Sequence, residues 1–234
     1  ESDITPGLAN KIATKFANRI FVTFEETAKY FPQEKVLHTG SPIRKELFEG
    51  NKLEGKAILG LHENKPIITI MGGSLGARKI NETIRESLDI LTKSYQIVHL
   101  TGKGNVDESL MHVKGYKQFE YISSELPNVL AATDFVISRA GANSIFEFLA
   151  LRIPMLLIPL SKNASRGDQI LNAKSFQKRG YAQVLMEEEL TKESMLLNLN
   201  SLVSESEVFL HAMEQTSTQN TVDLIVDEIT YYSR

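Results

Sequence analysis

The sequence predicts an α/β fold built on a doubly wound parallel sheet, and three observations predict it. Short apolar stretches of strand length alternate with segments whose apolar residues recur at helical spacing. Several strand-like stretches are apolar throughout instead of alternating, as strands covered on both faces require. Gly, Ser or Pro stands at many of the junctions. In such a sheet a ligand sits beyond the carboxyl ends of the strands, so the strand-to-helix turns are where function is sought.

Taken in order, residues 19–23 (Arg-Ile-Phe-Val-Thr) read as a strand and residues 66–71 (Pro-Ile-Ile-Thr-Ile-Met) as a fully buried one. Residues 77–93 read as one helix, with Ile80, Ile84, Leu88 and Leu91 on a shared face. Strands are then expected at 96–100, 119–122, 134–138, 155–158 and 182–186, and helices at 126–132, 143–151 and 169–179. Helices dominate after Thr191. No internal repeat or low-complexity tract interrupts this order.

Composition narrows the function. The 234 residues are 42% hydrophobic and 24% charged, with a net charge of −3, which suits one or two ordinary globular domains. That balance offers no clustered excess of Lys and Arg for nucleic acid. The absence of cysteine excludes disulfides, thiolate metal sites and Cys nucleophiles, and it suits a reducing cytoplasm. No apolar run approaches the roughly 20 residues that span a bilayer, and no signal peptide is visible. The sequence opens on Glu1-Ser2-Asp3 with no Met, so it reads as starting inside a longer protein.

Four turns could carry chemistry. Met71-Gly72-Gly73-Ser74-Leu75-Gly76-Ala77-Arg78 follows a buried strand and opens a helix, where glycines admit a close ligand and free N–H groups favour an anion. It matches neither the P-loop nor the Gly-x-Gly-x-x-Gly dinucleotide pattern, and Leu100-Thr101-Gly102 stands where a ribose-binding acid would end the next strand. A tight packing turn is the alternative. Ser138-Arg139-Ala140-Gly141-Ala142-Asn143-Ser144-Ile145-Phe146-Glu147 also joins strand to helix. There the N–H groups could hold a diphosphate and Glu147 could accept from two ribose hydroxyls. By spacing alone, Asn143 or Ser144 caps the helix and Ser144 with Glu147 forms a ligand-free capping box.

The third turn, residues 159–169, ends on Asp168-Gln169, which could bind sugar hydroxyls or merely cap the next helix. The fourth, Gly40-Ser41-Pro42-Ile43-Arg44, presents an arginine that could reach a phosphate. The five histidines show no metal-ligand spacing, and no Asp-x-Asp pair or Gly-x-Ser-x-Gly occurs. His99 reads as a packed strand residue and Glu187-Glu188-Glu189 as a solvated turn. No base or nucleophile stands out.

In order and spacing these turns resemble the MurG family of peptidoglycan N-acetylglucosaminyltransferases, and the resemblance covers essentially the whole chain. It is carried by the opening Glu1-Ser2-Asp3-Ile4-Thr5-Pro6-Gly7-Leu8-Ala9-Asn10-Lys11, by residues 40–44 and 72–78, and by Thr101-Gly102-Lys103-Gly104. Arg139-Ala140-Gly141-Ala142 with Glu147, and Asp168-Gln169 before Asn172-Ala173, continue it. The resemblance implies a GT-B fold, two Rossmann-like domains facing a cleft. By it, residues 1–43 are the end of an acceptor domain that is largely missing, 44–217 the donor domain, and 218–234 a helix returning to the acceptor domain.

The resemblance also implies a reaction. N-acetylglucosamine passes from UDP-N-acetylglucosamine to the C4 hydroxyl of lipid I with inversion, forming lipid II, with no cofactor or metal. Arg44 and Ser74 would contact the diphosphate, with Gly73 and Arg139 in the same substrate-binding set. Ala142, Asn143 and Ser144 would offer N–H groups to the phosphates, Glu147 would hold the ribose, and Ile122 would lie against the uracil and bond it through its backbone. Asp168 and Gln169 would read the sugar, although many members have Gln-Gln there. The expected catalytic base lies outside these residues. So does most of the surface for lipid I and for the inner leaflet of the cell membrane, on whose cytoplasmic side the protein would sit. The alternatives are another GT-B UDP-sugar enzyme (a glycolipid transferase or a UDP-sugar epimerase) and a non-catalytic UDP-sugar-binding subunit.

Overall fold

The computed structural model describes residues 1–61, 63–73, 76–162, 166–216 and 221–232. The first part holds helix α1 (Leu8–Ala13) and two strands, β1 (Ile20–Val22) and β2 (Val36–His38), paired parallel. After α2 (Lys52–Leu59) come β3 (Ile67–Met71), α3 (Arg78–Glu86), α4 (Leu88–Ser94), β4 (Gln96–Leu100) and β5 (Tyr116–Phe119). There follow α5 (Leu126–Ala132), β6 (Phe135–Ser138), α6 (Ala142–Ala150), β7 (Met155–Leu157), α7 (Asp168–Lys178) and β8 (Ala182–Val184). Three helices close the chain: α8 (Lys192–Ser204), α9 (Ser206–Glu214) and α10 (Thr221–Tyr232).

Strands β3 to β8 form one six-stranded parallel sheet in the order β5-β4-β3-β6-β7-β8. Relabelled from β3, this is the doubly wound order 3-2-1-4-5-6, whose direction reverses between β3 and β6. The apolar runs explain why these segments are central. Ile67, Ile68 and Ile70 have no exposed surface, and neither do Val136, Ile137, Met155, Leu156 and Leu157. Each such aliphatic side chain contributes about 1.5–3 kcal/mol on burial. The polar exceptions are paired: the hydroxyls of Thr69 and Thr133 lie 2.6 Å apart.

Two expected elements are corrected. The helix over 77–93 is divided at Ser87, which is fully buried and returns its hydroxyl to the Thr83 carbonyl at 2.7 Å. All four residues of the expected face, Ile80, Ile84, Leu88 and Leu91, are nevertheless buried. The strand expected at 119–122 lies at Tyr116–Phe119 instead. It is an edge strand, and its Tyr-Lys-Gln-Phe sequence alternates buried with less buried positions. Residues 36–38 form a strand that the sequence did not announce.

The first 43 residues dock against the large sheet through α6 and α7. Phe24 meets Phe146 at 5.0 Å between ring centroids and Phe176 at 6.1 Å, both edge to face. Phe146 and Phe176 meet at 5.1 Å. Helix α10 fastens to the same part of the chain, with the Thr221 hydroxyl donating to the Thr39 carbonyl at 2.7 Å and Glu228 paired with Arg19 at 3.1 Å.

Candidate nucleotide-binding site

The switch point lies between β3 and β6, and the structure joins the turns that leave them. The Ser138 hydroxyl and the Arg139 N–H both donate to the Met71 carbonyl, at 3.0 and 3.2 Å. In the turn after β3, Gly76 has φ 77°, and a Cβ there would stand 2.2 Å from the Thr101 carbonyl oxygen. Gly73 has φ 93°, and a Cβ there would meet nothing within 4 Å. The first glycine therefore serves close packing and the second borders open space. Ser74 lies outside the described residues, as do residues 163–165 of the third turn.

Helix α6 starts at this point without a cap. Gly141 is its N-cap, no side chain bonds the first turn, and a Cβ on Gly141 would meet nothing within 4 Å. The capping box expected from Ser144 and Glu147 does not form. The helix begins at Ala142, so Ala142, Asn143 and Ser144 are its first three residues and Glu147 lies a turn beyond them. Neither Asn143 nor Ser144 is the cap. The N–H groups of the three are the ones a helix leaves unsatisfied, and they sit at the positive end of the helix dipole.

Glu147 and Arg44 are brought together across 103 residues. Arg44 donates to Glu147 Oε1 from Nε at 3.2 Å and from an Nη at 3.0 Å. The Glu147 side chain is 17% exposed and that of Arg44 58%. The acid is thus anchored on α6, while the guanidinium reaches in from solvent.

Arg139 and Glu187 are placed differently from expectation. Arg139 donates to the Ile158 carbonyl at 3.1 Å and to Glu187, and its side chain is almost buried. Glu187 also accepts from the Ser161 N–H at 3.1 Å. Burial pushes the Glu187 carboxyl up, but Arg139, the Ser161 N–H and Lys79 outweigh it and hold it below its ordinary value. Glu187 is therefore not a solvated turn residue. With Arg139 it clamps the turns after β6, β7 and β8, which leaves the arginine a structural partner within the protein.

Asp168 likewise finds its partners within the chain. It accepts from the Thr5 hydroxyl and pairs with Arg166 at 3.0 Å, so both carboxylate oxygens are engaged. It opens a row on α7, continued by Asn172, Ser175 and Arg179, which share a helical face. Asn172 is fully buried, donates to Asp3 Oδ1 at 2.9 Å and to the Ala140 carbonyl at 3.2 Å, and accepts from the Ile4 N–H at 3.4 Å. Ser175 donates to Glu26 at 2.8 Å, and Arg179 pairs with Glu26 at 3.2 Å. Gln169 points elsewhere, accepting from the Leu160 N–H at 3.0 Å.

Ile122 is buried with its side chain in the core, in the loop that follows β5. His99 is fully buried behind the glycine turn, between the Tyr116 hydroxyl at 2.8 Å and Asn81 Oδ1 at 2.9 Å. The Asn81 amide in turn donates to the Thr101 carbonyl at 2.8 Å, against which Gly76 packs. Burial, with the nearby Arg85, lowers the His99 pKa to about 3, so the ring stays neutral and supports the turn. A cavity of about 310 Å³, lined by Phe24, Phe146, Phe176 and Tyr181 among others, lies between residues 23–43 and helices α6 and α7. Ile43 and Phe146, the neighbours of Arg44 and Glu147, line it, whereas Arg44 and Glu147 themselves do not. Among the described residues no group of three or more His, Asp or Glu is placed to hold a metal ion.

Sequence reading missed Asn172 and Glu187 as parts of this edge. The Asn172-Ala173 pair was a motif match without a role, and nothing in the Glu-Glu-Glu run distinguishes its first member.

Known proteins share this architecture and sequence. The profile of the glycosyltransferase family 28 C-terminal domain matches residues 67–229. A Bacillus cereus protein described as UDP-N-acetylglucosamine--N-acetylmuramyl-(pentapeptide) pyrophosphoryl-undecaprenol N-acetylglucosamine transferase 2 is 59% identical over 229 residues, covering 98% of this chain and 65% of the relative. A Clostridium tetani transferase of the same description, without the final number, is 53% identical over 99% of this chain and 65% of its own length. The chain thus spans about two thirds of the curated relatives it matches. The crystal structure of Acinetobacter baumannii MurG superposes with a TM-score of 0.72 at 22% identity, covering 99% of this chain and 65% of that one. The calicheamicin glycosyltransferase CalG4 superposes at 0.65 with 14% identity, over 92% of this chain and 52% of that one. The parallel α/β sheet is thus that of the GT-B glycosyltransferases, and the chain belongs to the glycosyltransferase family 28 C-terminal domain family.

Proposed function

We propose that the switch-point crevice binds UDP-N-acetylglucosamine and that the chain is the donor-binding part of an inverting N-acetylglucosaminyltransferase that converts lipid I to lipid II. One observation carries this reading: the uncapped start of α6 opens on empty space at the reversal of strand order, with Glu147 a turn further along and Arg44 beside it. The N–H groups of Ala142, Asn143 and Ser144 face the diphosphate, and Glu147 accepts from the ribose hydroxyls. Ile122 offers its backbone to the uracil. Gln169, whose carbonyl oxygen is used by Leu160, keeps its amide NH2 for the sugar.

The chemistry follows from charge. When the anomeric bond breaks, negative charge grows on the departing UDP. Fixed N–H dipoles and a guanidinium at that place stabilise the transition state more than the ground state. The lipid I acceptor, the general base and the contact with the cytoplasmic face of the membrane belong, on this proposal, to the third of the relatives' length that the chain does not span. No described helix is long and apolar enough to cross a membrane.

Glu147→Ala should weaken UDP binding by about 1–3 kcal/mol in calorimetry, the cost of leaving hydroxyls unpaired. An unchanged affinity would remove the ribose role. UDP-N-acetylglucosamine should bind more tightly than UDP-glucose, and equal affinities would count against the cell-wall assignment and favour another GT-B UDP-sugar enzyme.

A further inference from the structure

Arg44 and Glu147 raise a question that the proposed donor site does not answer. A ribose diol needs acceptor capacity on the Glu147 carboxylate, yet two Arg44 donors already fall on its Oε1. The two partners are unequally held. Glu147 sits in the second turn of α6, whereas Arg44 lies before a short 3-10 turn at Lys45–Glu49, with extended backbone and most of its side chain in solvent. Arg44 is therefore the partner that moves. A guanidinium prefers a diphosphate to a single carboxylate, because the diphosphate carries more charge and accepts its forked N–H groups two at a time.

We infer that the Arg44–Glu147 ion pair makes recognition of the ribose conditional on a diphosphate, so that the crevice selects nucleoside diphosphates over bare nucleosides. The inference rests on the donor-site reading above. A uridine diol that takes both carboxylate oxygens must displace Arg44 from Oε1, with nothing to offer it. A UDP group gives Arg44 a better acceptor at the start of α6 and thereby releases Glu147 to the ribose. Ion pairs with one exposed partner are weak, so the penalty on the phosphate-free ligand is a factor of about two to five.

The test is a pair of titrations, uridine and UDP, followed by NMR on the protein and on its Arg44→Ala and Arg44→Met variants. Met keeps an apolar stem of similar length if Ala disturbs the local packing. Opposite signs are expected. Uridine should bind about two- to fivefold more tightly to the variants, while UDP should bind about tenfold more weakly or worse, as befits the loss of a charge-assisted contact. Uridine affinity that is unchanged or reduced overturns the inference, and with UDP still weakened it leaves the donor site standing. UDP affinity that is unchanged also overturns it. If the unmodified protein binds neither ligand, the donor-site reading falls together with it.

Discussion

Helices α6 and α7 start on the same edge of the same sheet, and their first turns differ. The start of α7 is filled by the protein itself: Asp168 stands at its first position, at the positive end of the helix dipole, and is held by Thr5 and Arg166. The start of α6 has no acid, no side-chain cap and empty space in front of Gly141. A helix that supplies its own anion is a structural joint, and the bare start of α6 at the strand reversal is where the proposed function puts a diphosphate. The rest of each helix agrees. Along α7 run Asn172, Ser175 and Arg179, bonded to residues 3–26, whereas the residue that follows the first turn of α6 is Glu147, paired with the exposed Arg44.

The contrast can be broken most severely at Asn172. Asn172→Ala would leave Asp3, the Ile4 N–H and the Ala140 carbonyl without their buried partner and should cost about 3 kcal/mol in denaturant unfolding. A loss below about 1 kcal/mol would mean that α7 is not the joint described. The next largest effect comes from making α6 resemble α7. Gly141 has φ −68°, open to any residue, so Gly141→Asp is tolerated by the backbone. It should raise stability by about 0.5–1 kcal/mol as a cap. It should also lower UDP affinity by about 2 kcal/mol, roughly thirtyfold, by placing a carboxylate at the position proposed for the diphosphate. Undiminished UDP binding would put the anion elsewhere.

Asp168→Asn sharpens the comparison from the other side. It should cost about 1 kcal/mol of stability through the lost pairing with Arg166. The affinity for UDP-N-acetylglucosamine should change by less than about 0.5 kcal/mol. A loss confined to the sugar nucleotide, with UDP unaffected, would return Asp168 to sugar recognition. The smallest effect is expected from acid. Burial raises the Glu26 carboxyl, but the Ser175 hydroxyl and Arg179 hold it below its ordinary value. Its contribution is then complete above pH 4.5 and is lost as pH falls through the lowered value. About a third of the side chain is in solvent, so screening limits the effect to a few tenths of a kcal/mol, read as a flatter acid limb of the stability curve in Glu26→Gln.

How much could be read in advance depended on how local the determinant was. The strands near residues 67–71, 135–138 and 155–157 were legible because covered parallel strands are apolar throughout. The break at Ser87 was not, since the apolar spacing runs through it unchanged and only the buried hydroxyl bends back. Strand β5 was shifted because Lys117 and Gln118 disguise an edge strand. Capping boxes show the limit most clearly. The Ser144–Glu147 spacing suggested one that the helix start at Ala142 rules out, while Thr191 and Ser194 form one on α8. Four residues define the motif, but the fold decides where the helix begins.

By itself, the order of apolar runs and glycine turns determined a doubly wound sheet and placed the candidate site at its carboxyl edge. Those features depend on backbone geometry and burial, which neighbouring residues set. Only the tertiary structure decided which polar side chains remain available there. It turned Arg139 to Glu187, Asp168 to Thr5, and Arg44 to Glu147. The physical reason is that a charged group is claimed by its nearest complement in space, and these partners lie 48, 163 and 103 residues away along the chain.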